Sequence, residues 1–244
     1  MKAPKTIAKI PGKFNNRMIV DFLDRLRSVE RVIRRDFSRN DISNREAYER
    51  LIASPDHGAF VLAGMKEKKP DSWPALIERQ SELKDMSLGK STLDYSGCEV
   101  ISVFNLLEKY DGGSFMVSLP TLIEVFEKDG ILYAGRFGVS PRAMAEYLRG
   151  IGIPVNFTMD ETDLDVLGFF CDHFILTVMN DEEDIFRQIH TFYISKEGER
   201  FTAHNAGLSM RYFSISEIIK ALPGGRARAL CLIGVKEPSE ESLH

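Results

Sequence analysis

The apolar positions of the first third of the chain recur at helical spacing. Over residues 18–37 they fall three or four positions apart, with arginines largely on the other flank, so the pattern predicts an amphipathic first helix from about Asn16. Acidic residues lie between those arginines, which favours a solvated helix face over an RNA-binding surface. So long an apolar stripe is expected to be covered by other parts of the protein.

Two more helices are predicted after the first. One begins at Ser43, the first residue of an S-x-x-E capping-box pattern, and the other begins near Ser72 and ends at about Met86. We therefore assign residues 15–88 to a helical extension or subdomain. No flexible linker follows it, which favours an integral layer over a detachable inhibitory segment. Residues 1–14, basic and rich in helix breakers, are predicted to form a flexible arm.

A strongly apolar run opens with Gly97 and Cys98 and extends to Leu107. Its apolar positions cover most of a helix surface, which predicts a buried central helix beginning at Cys98. The positive end of a helix dipole stabilises a thiolate, so the pKa of Cys98 is expected to lie below the ordinary value of about 8.5. A cysteine without context is more often a small buried hydrophobe. A nucleophilic role therefore requires a base elsewhere in the chain.

Helices give way to strands in the second half of the chain. Helices are predicted to begin at Leu119 and at Ser140, each followed by a glycine stop. Strands are predicted at residues 154–158, 173–179, 190–195, 200–204 and 229–235, with helical segments at 163–167 and 216–222. Helices first and an antiparallel sheet afterwards is the pattern of an α+β fold.

The predicted hairpin of residues 190–204 indicates which histidine could act as the base for Cys98. With Glu197 and Gly198 as the two turn residues, His190 faces Asn205, and their Cβ atoms lie about 4.5–5.5 Å apart. The asparagine oxygen can then accept from one imidazole nitrogen and leave the other nitrogen for Cys98. A slip of one residue would overturn this assignment.

The other histidines and cysteines are weaker candidates. His204 falls on the opposite face of the hairpin, and His173 begins an apolar strand, where a core or capped histidine is more common. Cys171 and Cys231 lie in apolar strand contexts, so Cys98 is expected to be the most readily alkylated thiol.

Cys98 at the start of a helix, followed by His190 and then Asn205 in a late antiparallel sheet, resembles the papain-like cysteine peptidases. The resemblance is strongest to the bacterial branch of bacteriocin-processing (double-glycine leader) peptidases, and it covers about residues 90–235. It implies a papain-like cysteine hydrolase domain at residues 89–237, followed by a flexible tail at residues 238–244. By this resemblance Cys98 is the nucleophile, His190 the base and acid, and Asn205 the orienter, while the backbone N–H of Cys98 forms half of an oxyanion hole.

The chain departs from the family pattern beside the cysteine. The family commonly has a glutamine about six residues before its cysteine as the second oxyanion donor, whereas Thr92, a weak substitute, stands there in this chain. Asp94 lies between the two positions, and a carboxylate there would oppose an oxyanion. The glycine common after the cysteine in this branch is replaced by Glu99.

Composition narrows the classes of function. The 244 residues carry a net charge of −4 with mixed signs, which disfavours a nucleic-acid partner. Three cysteines without a C-x-x-C pair disfavour a disulfide framework and a zinc site, and the acidic run at residues 181–184 lacks the pattern of a calcium loop. No signal-peptide core or membrane-spanning run is present. We therefore expect a cytoplasmic protein without cofactor or metal.

The leading hypothesis is a cysteine peptidase or amidase that attacks a peptide or amide substrate through Cys98. One alternative is acyl transfer, transamidation or deamidation by the same triad, since an amine can replace water in resolving the acyl-enzyme. Another is a binding module that retains the fold without catalysis.

Overall fold

The structure, a computed structural model, describes residues 14–33, 35–53, 62–63, 76–110, 115, 117–180 and 188–238. Nearly all of the predicted arm and tail, the acidic run and the start of the predicted third helix lie outside these ranges. Helices dominate the earlier described ranges and strands the later ones. The helices are α1 (Asn16–Ile33), α2 (Ser38–Ala53), α3 (Leu93–Ser96), α4 (Cys98–Lys109), α5 (Leu119–Asp129), α6 (Pro141–Gly150), α7 (Leu164–Phe170) and α8 (Ile215–Ala221), with 3₁₀ turns at Gln80–Glu82 and Glu161–Asp163.

The later strands form an antiparallel sheet. The strands are β1 (Leu62–Ala63), β2 (Leu76–Ile77), β3 (Ser87–Leu88), β4 (Ser91–Thr92), β5 (Asn156–Thr158), β6 (His173–Met179), β7 (Ile189–Glu197), β8 (Arg200–His204), β9 (Arg211–Tyr212) and β10 (Arg228–Val235). Six of them pair in the order β5-β10-β6-β7-β8-β9, and every pairing is antiparallel. The predicted α+β order, helices followed by an antiparallel sheet, is confirmed.

The sheet is covered on both faces. Alternate residues of its central strands, such as Ile175 and Tyr193, pack with α4 in the larger core. Their neighbours, such as Phe174 and Phe192, pack with α7 and α8 in a second core. Every residue of α4 from Cys98 to Leu107 is buried, so the prediction of a buried central helix is confirmed.

Helix α1 is only partly covered by the rest of the described chain. Its buried row consists of Ile19, Val20, Leu23 and Arg27, while Phe22 is 55% exposed and Val32 is 82% exposed. The expectation that the whole apolar stripe would be covered is therefore wrong. The row at positions 19, 20, 23 and 27 faces the domain, and the other apolar positions lie on its flanks.

The two predicted helices after α1 differ from the structure. Helix α2 begins at Ser38 rather than Ser43, and the backbone N–H of Ser38 donates to the Oδ1 atom of Asp36. Ser43 lies inside the helix, where its hydroxyl bonds the carbonyl oxygen of Asn40, so the predicted capping box is wrong. The described end of the predicted third helix contains strand β2 and a 3₁₀ turn instead.

Candidate active site

A tight junction between two helices presents Cys98. Gly97 separates α3 from α4 and caps the second helix. A Cβ atom at this position would lie 2.5 Å from the Cγ atom of Leu93 and 2.6 Å from its carbonyl oxygen. Glycine is therefore required for the sharp turn, and the sequence prediction that Cys98 opens a helix is confirmed.

A cavity of about 1010 Å³ lies beside this junction. Cys98, His190 and Asn205, the three residues of the predicted triad, all line it. Thr92 lies outside the cavity, exposed and paired with Ser87 across the β3–β4 hairpin. The structure thus brings three predicted site residues to one cavity and leaves the weak oxyanion candidate elsewhere.

The register of the β7–β8 hairpin differs from the prediction by two positions. Glu197 pairs with Arg200, so the two turn residues are Gly198, with a φ of 61°, and Glu199. Glycine at the first central position gives a type II′ turn instead of a turn with glycine at the second. A shift of two residues keeps every side chain on its predicted face. Asn205 follows the end of β8, and it and His190 line one cavity although they are not a cross-strand pair.

The ring of His190 is held by the backbone of Asn205. Its Nε2 atom lies 3.2 Å from the carbonyl oxygen of Asn205. Because a carbonyl oxygen only accepts, Nε2 must donate, and Nδ1 is left as the basic nitrogen of the neutral ring. Burial lowers the pKa of His190, while the hydrogen bond to Asn205 opposes this shift. The hydrogen bond to His190 that was predicted for the Asn205 side chain is thus made by the Asn205 carbonyl group instead.

The Asn205 side chain instead makes hydrogen bonds to Gln80, in the first 3₁₀ turn. Its Oδ1 atom accepts from the backbone N–H of Gln80 at 3.0 Å, and its Nδ2 atom donates to the Gln80 side chain at 3.3 Å. The Nε2 atom of Gln80 donates to the carbonyl oxygen of Leu93 at 2.9 Å. This chain of bonds ties the end of β8 to the start of α3.

The other described histidines of the sheet have structural partners. His204 bonds Glu78 through Nδ1 at 2.6 Å and Ser195 through Nε2 at 2.8 Å. Burial raises the pKa of Glu78, but the hydrogen bond and charge of His204 and the N–H of Asn205 outweigh it and lower that pKa. His173 bonds the hydroxyl of Tyr193 at 2.7 Å and also contacts Glu237.

The thiol of Cys98 is not activated by the helix terminus alone. Burial and the neighbouring charge of Glu99 raise its pKa well above the ordinary value, despite hydrogen bonds from the backbone N–H groups of Thr191 and Glu99. The predicted lowering of this pKa is therefore wrong. Burial of the thiol, the larger cause, and the carboxyl group beside the sulfur together reverse the sign expected from the helix dipole.

Glu99 is an acidic side chain enclosed next to the nucleophile candidate. It is only 3% exposed, and burial raises its pKa to about 7 against hydrogen bonds from groups that include the backbone N–H of Val139 and the Thr191 side chain. Its Oε2 atom is buried without a hydrogen-bond partner in the part of the chain that the structure describes. A Cβ atom on Gly138 would lie 2.4 Å from Oε2, so glycine makes room for the carboxyl group.

Sequence reasoning missed much of what surrounds the triad candidates. Glu78 and Gln80 lay inside a predicted helix, and their role depends on contacts with residues about 125 positions away. Glu99 was noted only as a departure from a family pattern. A charged residue near the start of an apolar run is the available signal for a buried carboxyl group. Within the described residues no metal-binding cluster is found, and no helix there is long and apolar enough to cross a membrane.

No protein-family model matches the chain, and no curated protein does. A structural match is the peptidase domain of ComA from Streptococcus, a bi-functional ABC transporter involved in a quorum-sensing pathway. The two chains are 12% identical, and the match covers 58% of this chain and 91% of the other with a TM-score of 0.39.

Proposed function

We propose that this protein is a cysteine hydrolase of the peptidase or amidase type, with Cys98 as nucleophile and His190 as general base. The observation that supports this most strongly is one cavity lined by both residues. Cys98 lies at the first position of a helix, and the contact of Nε2 with Asn205 leaves Nδ1 of His190 as the basic nitrogen. A thiol and an oriented base are the minimum that nucleophilic catalysis requires.

The resting pair is neutral in this mechanism, because the pKa of Cys98 is raised and that of His190 is lowered. His190 removes the thiol proton as sulfur forms a bond to the carbonyl carbon, and the carbonyl electron pair moves to oxygen beside the N–H groups of the α4 terminus. The intermediate collapses with cleavage of the C–N bond, and His190 protonates the leaving amine. Water, deprotonated by His190, then hydrolyses the thioester.

A second candidate is a peptide-binding module without catalysis. Glu99 favours it, because a carboxylate beside the sulfur opposes both a thiolate and an oxyanion. The two candidates predict different behaviour toward an activated acyl ester.

Stopped-flow kinetics with a 4-nitrophenyl ester separate these candidates. We expect a burst of nitrophenol equal in amount to the enzyme present. The burst should be lost in Cys98→Ala and in His190→Ala. It should be kept in Cys171→Ala, because the Cys171 thiol of the wild type is buried outside the cavity. Absence of a burst in folded wild type would favour the binding module. Added amine then distinguishes hydrolysis from acyl transfer, since only a transferase partitions the acyl group mainly to the amine.

A further inference from the structure

Two carboxyl oxygens of residues that line the cavity lack partners among the described residues. They are Oε2 of Glu99 and Oδ1 of Asp94, and both atoms are buried. Both residues line the same cavity as Cys98 and His190. A buried acceptor without a donor costs free energy, so such atoms in a cavity call for a ligand that supplies the donor.

The missing donor is best matched by a compact cation. A carboxylate beside a thiol is stabilised by positive charge, and charge-assisted hydrogen bonds are the stronger class. A guanidinium prefers both oxygens of one carboxylate, whereas each of these side chains offers a single unpartnered buried oxygen. An ammonium group has three donors around one point charge and suits two separate oxygens.

We propose that the cavity accepts peptide or amide substrates that carry a primary ammonium group, held by Glu99 and Asp94. This inference rests on the proposed function and names its substrate class. It also gives Glu99 a role in substrate binding. An ammonium on Glu99 compensates the negative charge that opposes the Cys98 thiolate, so the correct substrate removes an obstacle to its own attack.

Binding can be tested separately from catalysis on the full chain. The probe is n-butylamine, with 1-butanol as the uncharged control, followed through the amide signals of ¹⁵N-labelled protein at pH 8. Glu99, whose pKa is about 7, is then mostly ionised, and the amine is still charged. We expect saturable shifts near residues 94–99 with butylamine only. Glu99→Gln should weaken its affinity about tenfold or more, as loss of a charged hydrogen bond implies.

Asp94→Asn is the second variant, since Asp94 is only half-buried and is less important for folding. Glu46→Gln, an exposed carboxyl on α2, should leave the affinity unchanged. Equal responses to the amine and the alcohol, or an amine affinity unaltered by both Glu99→Gln and Asp94→Asn, would overturn the inference. Amine binding without an ester burst in wild type would instead refute the hydrolase proposal, so the two failures are distinguishable.

Discussion

Burial outweighs the helix dipole at the candidate nucleophile and at the carboxyl group beside it. A charge at a helix terminus is stabilised by roughly 0.3–1 kcal/mol, and by about 2 kcal/mol in favourable buried geometries. Raising the pKa of the Glu99 carboxyl from 4.5 to about 7 corresponds to about 3 kcal/mol of disfavoured ionisation, so burial exceeds the dipole. The same balance explains why the thiol of Cys98, also buried and next to this carboxyl, is not acidified.

Replacing Glu99 with glutamine should change how stability depends on pH. The folded pKa of Glu99 lies above the unfolded value, so the folded state binds more protons between the two, and wild-type stability falls as pH rises through this interval. Chemical denaturation of Glu99→Gln should show a gain over wild type that grows by roughly 2–3 kcal/mol from pH 5 to pH 8. Glu46→Gln is the matched control. A difference that stays constant with pH would contradict the burial of an ionisable Glu99.

The positions of the site residues could be predicted from sequence better than their chemistry. An apolar run after Gly97 identifies Cys98, and strand alternation places His190 and Asn205 on one face. The electrostatics of Cys98 and Glu99 could not be predicted in this way. Gly138 and Val139 enclose Glu99, and Thr191 contacts both residues, and periodicity does not connect these distant positions. The carbonyl contact of Asn205 follows from its left-handed backbone, with a φ of 58°, at the end of β8.

At the scale of elements, an extended segment at residues 76–80 crosses from α4 to the end of β8. Asn105, fully buried in α4, bonds the backbone N–H of Ile77 at 2.8 Å and its carbonyl oxygen at 2.9 Å. These two bonds replace the helical hydrogen bonds that the sequence pattern predicted for this stretch. The prediction of a helix is wrong here because a distant side chain satisfies the backbone.

Asn105→Ala should therefore loosen the segment that contains Glu78 and Gln80. Leaving two buried backbone groups unpaired costs about 2–5 kcal/mol in the free energy of unfolding, measurable by urea titration. Asn44→Ala is a close control, because Asn44 of α2 bonds both backbone groups of Ser87 in the same way, outside the cavity. Both variants should lose stability, whereas only Asn105→Ala should also slow the ester burst. Equal burst rates in the two folded variants would show that the segment does not position the site.

The hairpin register illustrates a limit of prediction from turn chemistry. Glycine at either central position of a two-residue turn is compatible with a hairpin, and the choice moves the pairing by two residues. Each strand side chain stays on its predicted face, but its cross-strand partner is a different residue. His190 and Asn205 therefore still line one cavity, but the ring of His190 contacts the carbonyl oxygen of Asn205 and not its side chain.

At the scale of the whole molecule, described residues of the 15–88 region pack into the same cores as the later helices and the sheet. Ile19 and Leu23 of α1 join Leu132 and Leu230 in one cluster, and Leu76, Ile77, Leu83, Met86 and Leu88 pack in the core that contains α4. Arg27, only 4% exposed, pairs with Asp129 at 3.1 Å and with Glu146 at 2.7 Å. These contacts support an integral layer.

Deleting residues 15–88 should consequently give insoluble or molten protein, because each large apolar side chain left without its partners exposes surface worth roughly 1.5–3 kcal/mol. Near-ultraviolet circular dichroism measures the loss of fixed packing. Val32→Ser, at a position 82% exposed, should remain folded. A soluble, well-packed deletion with a faster ester burst would instead identify the region as an inhibitory segment.

The order of elements was the most predictable property of the whole chain. Proline and glycine mark the bounds of α5 and α6. Alternation predicts β7 and β8, and continuous apolar runs predict β6 and β10. The short strands β1–β4 were not predicted, because two-residue strands have no period of their own and depend on partners elsewhere.

The central claim, that Cys98 is a nucleophile served by His190, is tested most directly by locating the acyl group. Protein quenched in acid during the burst can be digested and mapped by tandem mass spectrometry. We expect a single thioester on Cys98 in wild type and Cys171→Ala, and none in His190→Ala. An acyl group on another residue, or on Cys98 at an undiminished rate in folded His190→Ala, would contradict it.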